Sequence, residues 1–204
     1  YAEWTPILFK DMATGDMQGM SRDIIDAIGH KLGVEVEWTE NAGWGTLAEG
    51  LAAKRYDMIC VTLGQITTRA RVIDFSRPIF YLPVYPIVRA DDARFDKNLD
   101  LLEKPSTKIG VLEGEASALL AAERFPKAAT IAISQTSDYS LLMEDIKAKK
   151  SDISFITADT FDSFNKKQPG VFKIANHGTP ISVIAAGFGL PTNDIQFKNL
   201  IDTA

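Results

Sequence analysis

The chain has 204 residues, of which 46% are hydrophobic and 24% charged, and carries a formal net charge of −5. That is enough chain for a sizeable core, in one large domain or two small ones, with the composition of an ordinary globular protein. An acidic balance with scattered lysines and arginines excludes a nucleic-acid footprint; no apolar run reaches the ~18 residues of a membrane helix; one cysteine excludes an internal disulfide or a cysteine-rich zinc site.

The first periodic segment is Met20 to Leu32, with apolar residues at helical spacing, Ser21 as its expected N-cap and Gly33 at its C-cap position. Val34 to Trp38 alternates apolar and acidic residues, the pattern of a strand. Thr46 to Arg55 predicts a helix with Leu47 and Leu51 inward. Tyr56 to Leu63 is short and almost continuously apolar, as a strand covered on both faces should be. Cys60 lies in that run and reads as a buried structural thiol. A polar turn with Thr67, Thr68 and Arg69 follows, then Asp74-Phe75-Ser76, a structural turn, and a second strand.

Beyond it, Pro83 to Ala90 is extended and apolar, and the charged loop DDARFDKNLD changes the character of the chain. A strand at Lys108–Leu112, a helix at Ser117–Phe125, a strand at Thr130–Ser134, a helix at Tyr139–Lys149 and a strand at Asp152–Thr157 come next. Ile181 to Leu190 is a further extended run, and Asp194 opens a last helical stretch. Strands alternating with helices predict α/β construction with parallel pairing. The extended runs 83–90 and 181–190 bracket one complete block, the arrangement that a two-lobed protein with a two-stranded hinge needs. The expected organisation is lobe one over 1–88, lobe two over 89–184, and a return to lobe one over 185–204.

Chemistry concentrates between Trp44 and Phe80. An arginine just after a buried strand, beside hydroxyls and backbone amides, suits a carboxylate, which guanidinium binds through two parallel, charge-assisted hydrogen bonds. Arg69 is the candidate; its structural alternative is pairing with an acid such as Asp74. Arg71 competes, because alternation would put both arginines on one face of an extended segment. Trp4, near Pro6, and Trp44, between Gly43 and Gly45, occupy loop or helix-start positions that line clefts more often than cores. Such aromatics suit an apolar, aromatic or cationic ligand part. Free amides at a helix start make Gly114 to Ser117 a candidate anion site, opposed by Glu115. Asp159, ahead of Thr160 and Phe161, has N-capping as its simpler role. His30 and His177 have no partners for a metal site or a catalytic triad, and no nucleotide-binding glycine motif occurs, so neither metal nor cofactor is expected.

Three segments resemble the periplasmic solute-binding proteins of ABC transporters, in the type II, amino-acid-binding branch (bacterial extracellular solute-binding proteins, family 3). Trp4-Thr5-Pro6 with Gly15 to Met20 and Asp23 is similar to that family's aromatic-x-Pro and G-x-x-x-G-F-x-x-D opening. Trp44 to Asp57 is similar to its aromatic-D-x-L-I-P-x-L helix and G-x-x-D-A strand. Arg69 to Pro78 is similar to R-x-x-x-V-D-F-S-x-P, and from Trp44 to Pro78 the likeness needs no gap. The second half matches more loosely, through Gly110 to Gly114 and Lys149 to Phe155.

The resemblance implies two α/β lobes that close on a ligand, and a monomeric, periplasmic, non-enzymatic receptor that hands a small carboxylate-bearing, amino-acid-like solute to an ABC permease. It places Arg69 on the carboxylate, Thr62 and Gly64 beside it, and Trp4 and Trp44 around the ligand side chain. In lobe two the family's ammonium-binding aspartate position is Thr157 here, with Asp159 two residues on. The usual Gly-Thr-Thr is Gly114-Glu115-Ala116, followed by Ser117. Both departures weigh against a standard α-amino acid. The resemblance also implies a chain trimmed at both ends. A ligand-sensing domain of a membrane receptor is the alternative reading. A cyclohexadienyl dehydratase-like enzyme, with Glu113, Glu115 or Asp159 as its acid, is a third.

Overall fold

A computed structural model describes every residue except Gly45, Gln135, Thr136 and Asp138. Its elements are β1 (Phe9–Lys10), β2 (Met17–Gln18), α1 (Met20–Leu32), α2 (Leu47–Ala52), β3 (Ile59–Gly64), α3 (Thr67–Ala70), β4 (Asp74–Phe75) and β5 (Phe80–Arg89). Then come β6 (Lys108–Leu112), α4 (Ala116–Arg124), β7 (Ala129–Ile133), α5 (Tyr139–Lys147), β8 (Ile153–Thr157), α6 (Ala158–Lys167), β9 (Phe172–Ile174), β10 (Ser182–Leu190) and α7 (Ile195–Thr203). The chain forms two units, Tyr1–Tyr81 with Ala185–Ala204, and Leu82–Ile184. It therefore passes between them twice, once within β5 and once within β10.

Unit one is built around β3, which pairs antiparallel with β10 through Leu63↔Gly187 and Gly64↔Ala186. β4 pairs with the end of β10, and β1 with β2. Leu47 and Leu51 of α2 pack with Leu8, Ile59, Val61, Leu63 and Ile73 in one apolar cluster. Ile59, Val61 and Leu63 form one face of β3, and Thr62 on the other is fully buried as well, so the strand is covered on both faces, which suits its nearly continuous apolar sequence. Burial pushes the Cys60 thiol up to about 12, so it is inert at neutral pH.

Three local expectations are corrected here. The N-cap of α1 is Gly19, at φ 107°, and Ser21 is fully buried inside the first turn. A Cβ on Gly19 would lie 2.5 Å from Ile7 O, so the close passage of that backbone selects glycine over a capping side chain. Val34 to Trp38 forms no strand. Its alternation is real, since Val36 and Trp38 are half-buried, but they pack sideways: Val36 rests on Gly29 of α1 and Trp38 on the Tyr1 ring, edge to face at 6.0 Å. Finally, residues 67–70 are a helical turn, so Arg69 and Arg71 share no strand face. Gly33 does close α1 in the left-handed conformation, at φ 66°.

Unit two has β6 parallel to both β7 and β8, β8 antiparallel to β5, and β5 antiparallel to β9. Alternation along the strands divides its side chains into two apolar layers. Val84, Val88, Ile109, Val111, Ile153 and Phe155 pack with Leu120 of α4. Ile87, Leu112 and Ile156 pack with Leu142 and Ile146 of α5 and Phe161 of α6. Covering a sheet on both faces is what parallel pairing demands. The charged loop expected after β5 holds a tight ion cluster, in which Asp92 accepts from Arg89 and Arg94, and Arg94 also pairs with Asp152 at 2.6 Å. Thr157, not Asp159, is the N-cap residue of α6. Its extended backbone ends β8 directly against the helix, which leaves Asp159 inside the first turn.

Candidate functional site

Arg69 takes its position from the short path between β3 and β4. β3 ends at Gly64, Ile66 stays extended as the N-cap (φ −111°, ψ 154°), and α3 turns the chain back. The half-buried Arg69 guanidinium then reaches the strand end, where Nη1 donates to Gly64 O at 3.3 Å. Val72 and Ile73 N–H both return to Arg69 O at 3.0 Å, which fixes the backbone beneath it. Thr62, two residues earlier in β3, is fully buried, and its Oγ1 meets no hydrogen-bond partner among the described residues. A fixed guanidinium beside a strand end can take both oxygens of a carboxylate.

The two candidate tryptophans meet. Trp4 and Trp44 stand edge to face with centroids 6.1 Å apart, and Phe80 adds a tilted contact to Trp4 at 6.5 Å. Trp4 is held by a two-way backbone bridge to Leu8, at 2.7 and 2.8 Å. Trp44 stays 39% exposed, too much for a core tryptophan and suited to a contact surface. The neighbouring Gly45 lies outside the described residues. Phe80 is the residue that sequence reasoning passed over. The available signal was its place two residues after Pro78, at the first position of β5.

Asp74, Phe75 and Ser76 behave as a structural turn. Asp74 Oδ2 accepts from Asn193 N, and Ser76 Oγ accepts from Phe188 N at 3.0 Å while donating to Arg77 O. Gln65 Nε2 donates to Ser76 O, locking the segment behind Arg69.

Unit two carries the remaining candidates. Ser117 is fully buried near the start of α4, and its Oγ accepts from Leu112 N at 2.9 Å. Thr157 Oγ1 lies 3.0 Å from Thr160 Oγ1. Asp159 is half-buried in the first turn of α6, where a carboxylate also complements the helix dipole. The structure thus groups Trp4, Trp44, Thr62, Gly64 and Arg69 on unit one, and Ser117, Thr157 and Asp159 on unit two. An open groove of about 580 Å³ also lies on unit one, lined by Ile24, Ile28, Pro78, Phe188 and Ile201, and none of the candidate residues lines it. Among the described residues no cluster of His, Cys, Asp or Glu could hold a metal ion, and no helix is long and apolar enough to cross a membrane.

Comparison with known proteins gives a consistent result. The model of the bacterial extracellular solute-binding proteins, family 3, matches residues 1–204. The probable amino-acid ABC transporter-binding protein of Haemophilus influenzae is 27% identical over 105 residues, covering 52% of this chain and 40% of that protein. The probable histidine-binding protein of Campylobacter jejuni is 24% identical over 168 residues, covering 81% of this chain and 61% of that protein. The chain therefore spans less than two thirds of the length of either relative. Among solved structures, holo ArgBP from T. maritima matches with a TM-score of 0.76 at 20% identity, over 99% of this chain and 84% of that one. At that identity the likeness shows the fold, which is the two-lobed α/β fold of type II binding proteins.

Proposed function

We propose, because this chain belongs to the bacterial extracellular solute-binding proteins, family 3, that it is a non-enzymatic receptor for a small carboxylate-bearing, amino-acid-like solute. It works in the periplasm as a monomer and delivers that solute to an ABC permease. The observation that carries this reading is Arg69, braced on Gly64 one turn after a buried strand. Thr62 and Gly64 flank the carboxylate, and Trp4 and Trp44, with Phe80 against Trp4, receive the rest of the solute. Ser117, Thr157 and Asp159 are the ligand-binding groups assigned to unit two. Hinge closure follows from tighter binding to the closed form, since a ligand shifts an equilibrium only by its differential affinity. The names of the two curated relatives, both binding proteins, support the transport class over an enzyme.

The test is Arg69→Ala, assayed by calorimetric titration with a carboxylate solute that binds the unmodified protein. Removing the charge partner of a bound carboxylate should cost about 2–5 kcal/mol, so affinity should fall at least tenfold. Arg69→Lys should recover only part of it, because an ammonium cannot make the paired hydrogen bonds. A loss below tenfold in the alanine variant, with the fold intact by circular dichroism, would remove Arg69 from the site.

A further inference from the structure

Arg69 is held from both sides of one residue, Gln65. Its guanidinium donates to Gly64 O at 3.3 Å, on the residue before Gln65, and its backbone N–H donates to Ile66 O at 3.1 Å, on the residue after. Whatever fixes Gln65 therefore fixes the two carbonyls that carry Arg69.

Gln65 is itself tied at two points. Its N–H donates to Ala185 O at 2.7 Å, on the first residue of the returning part of unit one. Its Nε2 donates to Ser76 O at 3.0 Å, across eleven positions of sequence. Only the nitrogen end of a carboxamide can face a carbonyl, so this partner sets the orientation of the amide. Ser76 in turn is clamped to β10: its N–H donates to Phe188 O and its Oγ accepts from Phe188 N, each at 3.0 Å. The half-buried Gln65 side chain thus ties off residues 65–76, the segment that carries α3 and Arg69, with both of its ends on β10.

β10 leaves room for that tie. Gly187 pairs with Leu63 near the end of β3, and a Cβ on it would lie 2.9 Å from Gln65 Nε2 and 2.8 Å from Ser76 Oγ. A methyl group there would displace one or the other. Gly187 does not have a positive φ, so what glycine supplies at this position is space for the carboxamide.

A segment closed at its base samples fewer conformations. A guanidinium already held in place then loses less freedom when a carboxylate arrives, and the saving appears as affinity. We propose that Gln65 is a positioning residue of the ligand site: its carboxamide closes the 65–76 segment and holds Arg69 ready at the end of β3, a role in binding that rests on Arg69 taking the solute carboxylate.

The experiment is Gln65→Met, which keeps the length of the side chain and removes its donor, made alone and together with Arg69→Ala. Calorimetric titration with a carboxylate solute that binds the unmodified protein should show binding about fivefold weaker in Gln65→Met, the usual worth of one hydrogen bond. With Arg69→Ala already in place, Gln65→Met should change affinity by less than about twofold, because a residue that acts through another is not additive with it. Unchanged affinity in the single variant overturns the proposal. An equal loss in both backgrounds also overturns it, since a side chain that only supports the fold would behave that way. Amide hydrogen exchange of the solute-free protein is the second measurement. The Val72 and Ile73 N–H groups, both bonded to Arg69 O, should exchange about fivefold faster in Gln65→Met, while the amides of β6 in unit two keep their parent rates. Parent rates at Val72 and Ile73 overturn the proposal. If Arg69→Ala binds as tightly as the parent, the carboxylate reading is what fails, and the exchange rates still decide whether Gln65 holds Arg69.

Discussion

Asp92 illustrates how much a single carboxylate can organise. Its side chain is 4% exposed; Oδ1 accepts from Arg94 N and Nε, and Oδ2 from Arg94 Nη2 and Arg89 Nη2. The hydrogen bonds from Arg94 hold its carboxyl below the usual range. A folded-state value below the unfolded one means stability that is present above the unfolded value, about 4, and lost as pH falls through the folded value. Urea unfolding of the intact chain should therefore show a midpoint that declines from pH 5 to pH 3. Asp92→Asn should lose about 3 kcal/mol at pH 7, the low end for a broken buried pair because Arg94 is half exposed, and less at pH 3. None of this pairing was legible in DDARFDKNLD, where composition announces a solvated loop but not which charges meet. The place of Arg69 just past a buried strand was legible for the opposite reason, since that distance is set along the chain. Phe80 was missed because its partner Trp4 comes from a remote segment.

At the scale of elements, helix α2 shows propensity overruled by packing. Gly50 lies in its middle, where alanine is normally the better helix former. A Cβ there would lie 2.2 Å from Tyr56 Oη, whose hydroxyl donates to Leu47 O at 2.6 Å. Gly50→Ala should therefore destabilise, by about 1–3 kcal/mol through overpacking, and thermal unfolding would reveal the sign. Elements with several turns or pleats, such as α1, β3, β6 and β8, were readable because their apolar period repeats. β1, β2 and β4 have two residues each, too few to carry any period. Val34 to Trp38 misled because alternation reports one inward face, and inward packing against a helix satisfies it as well as a sheet does.

For the whole molecule, each unit owns its core, and binding is linked to stability by mass action. A solute at 100 times its dissociation constant should stabilise the protein by about 2.7 kcal/mol, roughly 5–10 °C in Tm for a chain of this size. A thermal-shift screen across amino acids, polyamines, dicarboxylates and aromatic acids reads this directly. If only amine-free carboxylates raise Tm, Thr157 marks a site built without an ammonium partner; a shift with an α-amino acid gives that role to Thr157 or Asp159. One hydrogen bond within unit two has a further consequence. Ile181 N donates to Val84 O at 2.9 Å, which sets the two ends of Leu82–Ile184 side by side. That stretch is a cassette: a closed paragraph of sequence, spliced into a host that is itself written in two pieces. Expressed alone it should fold cooperatively, with dispersed amide resonances, whereas the host pieces must be sewn together before they can fold.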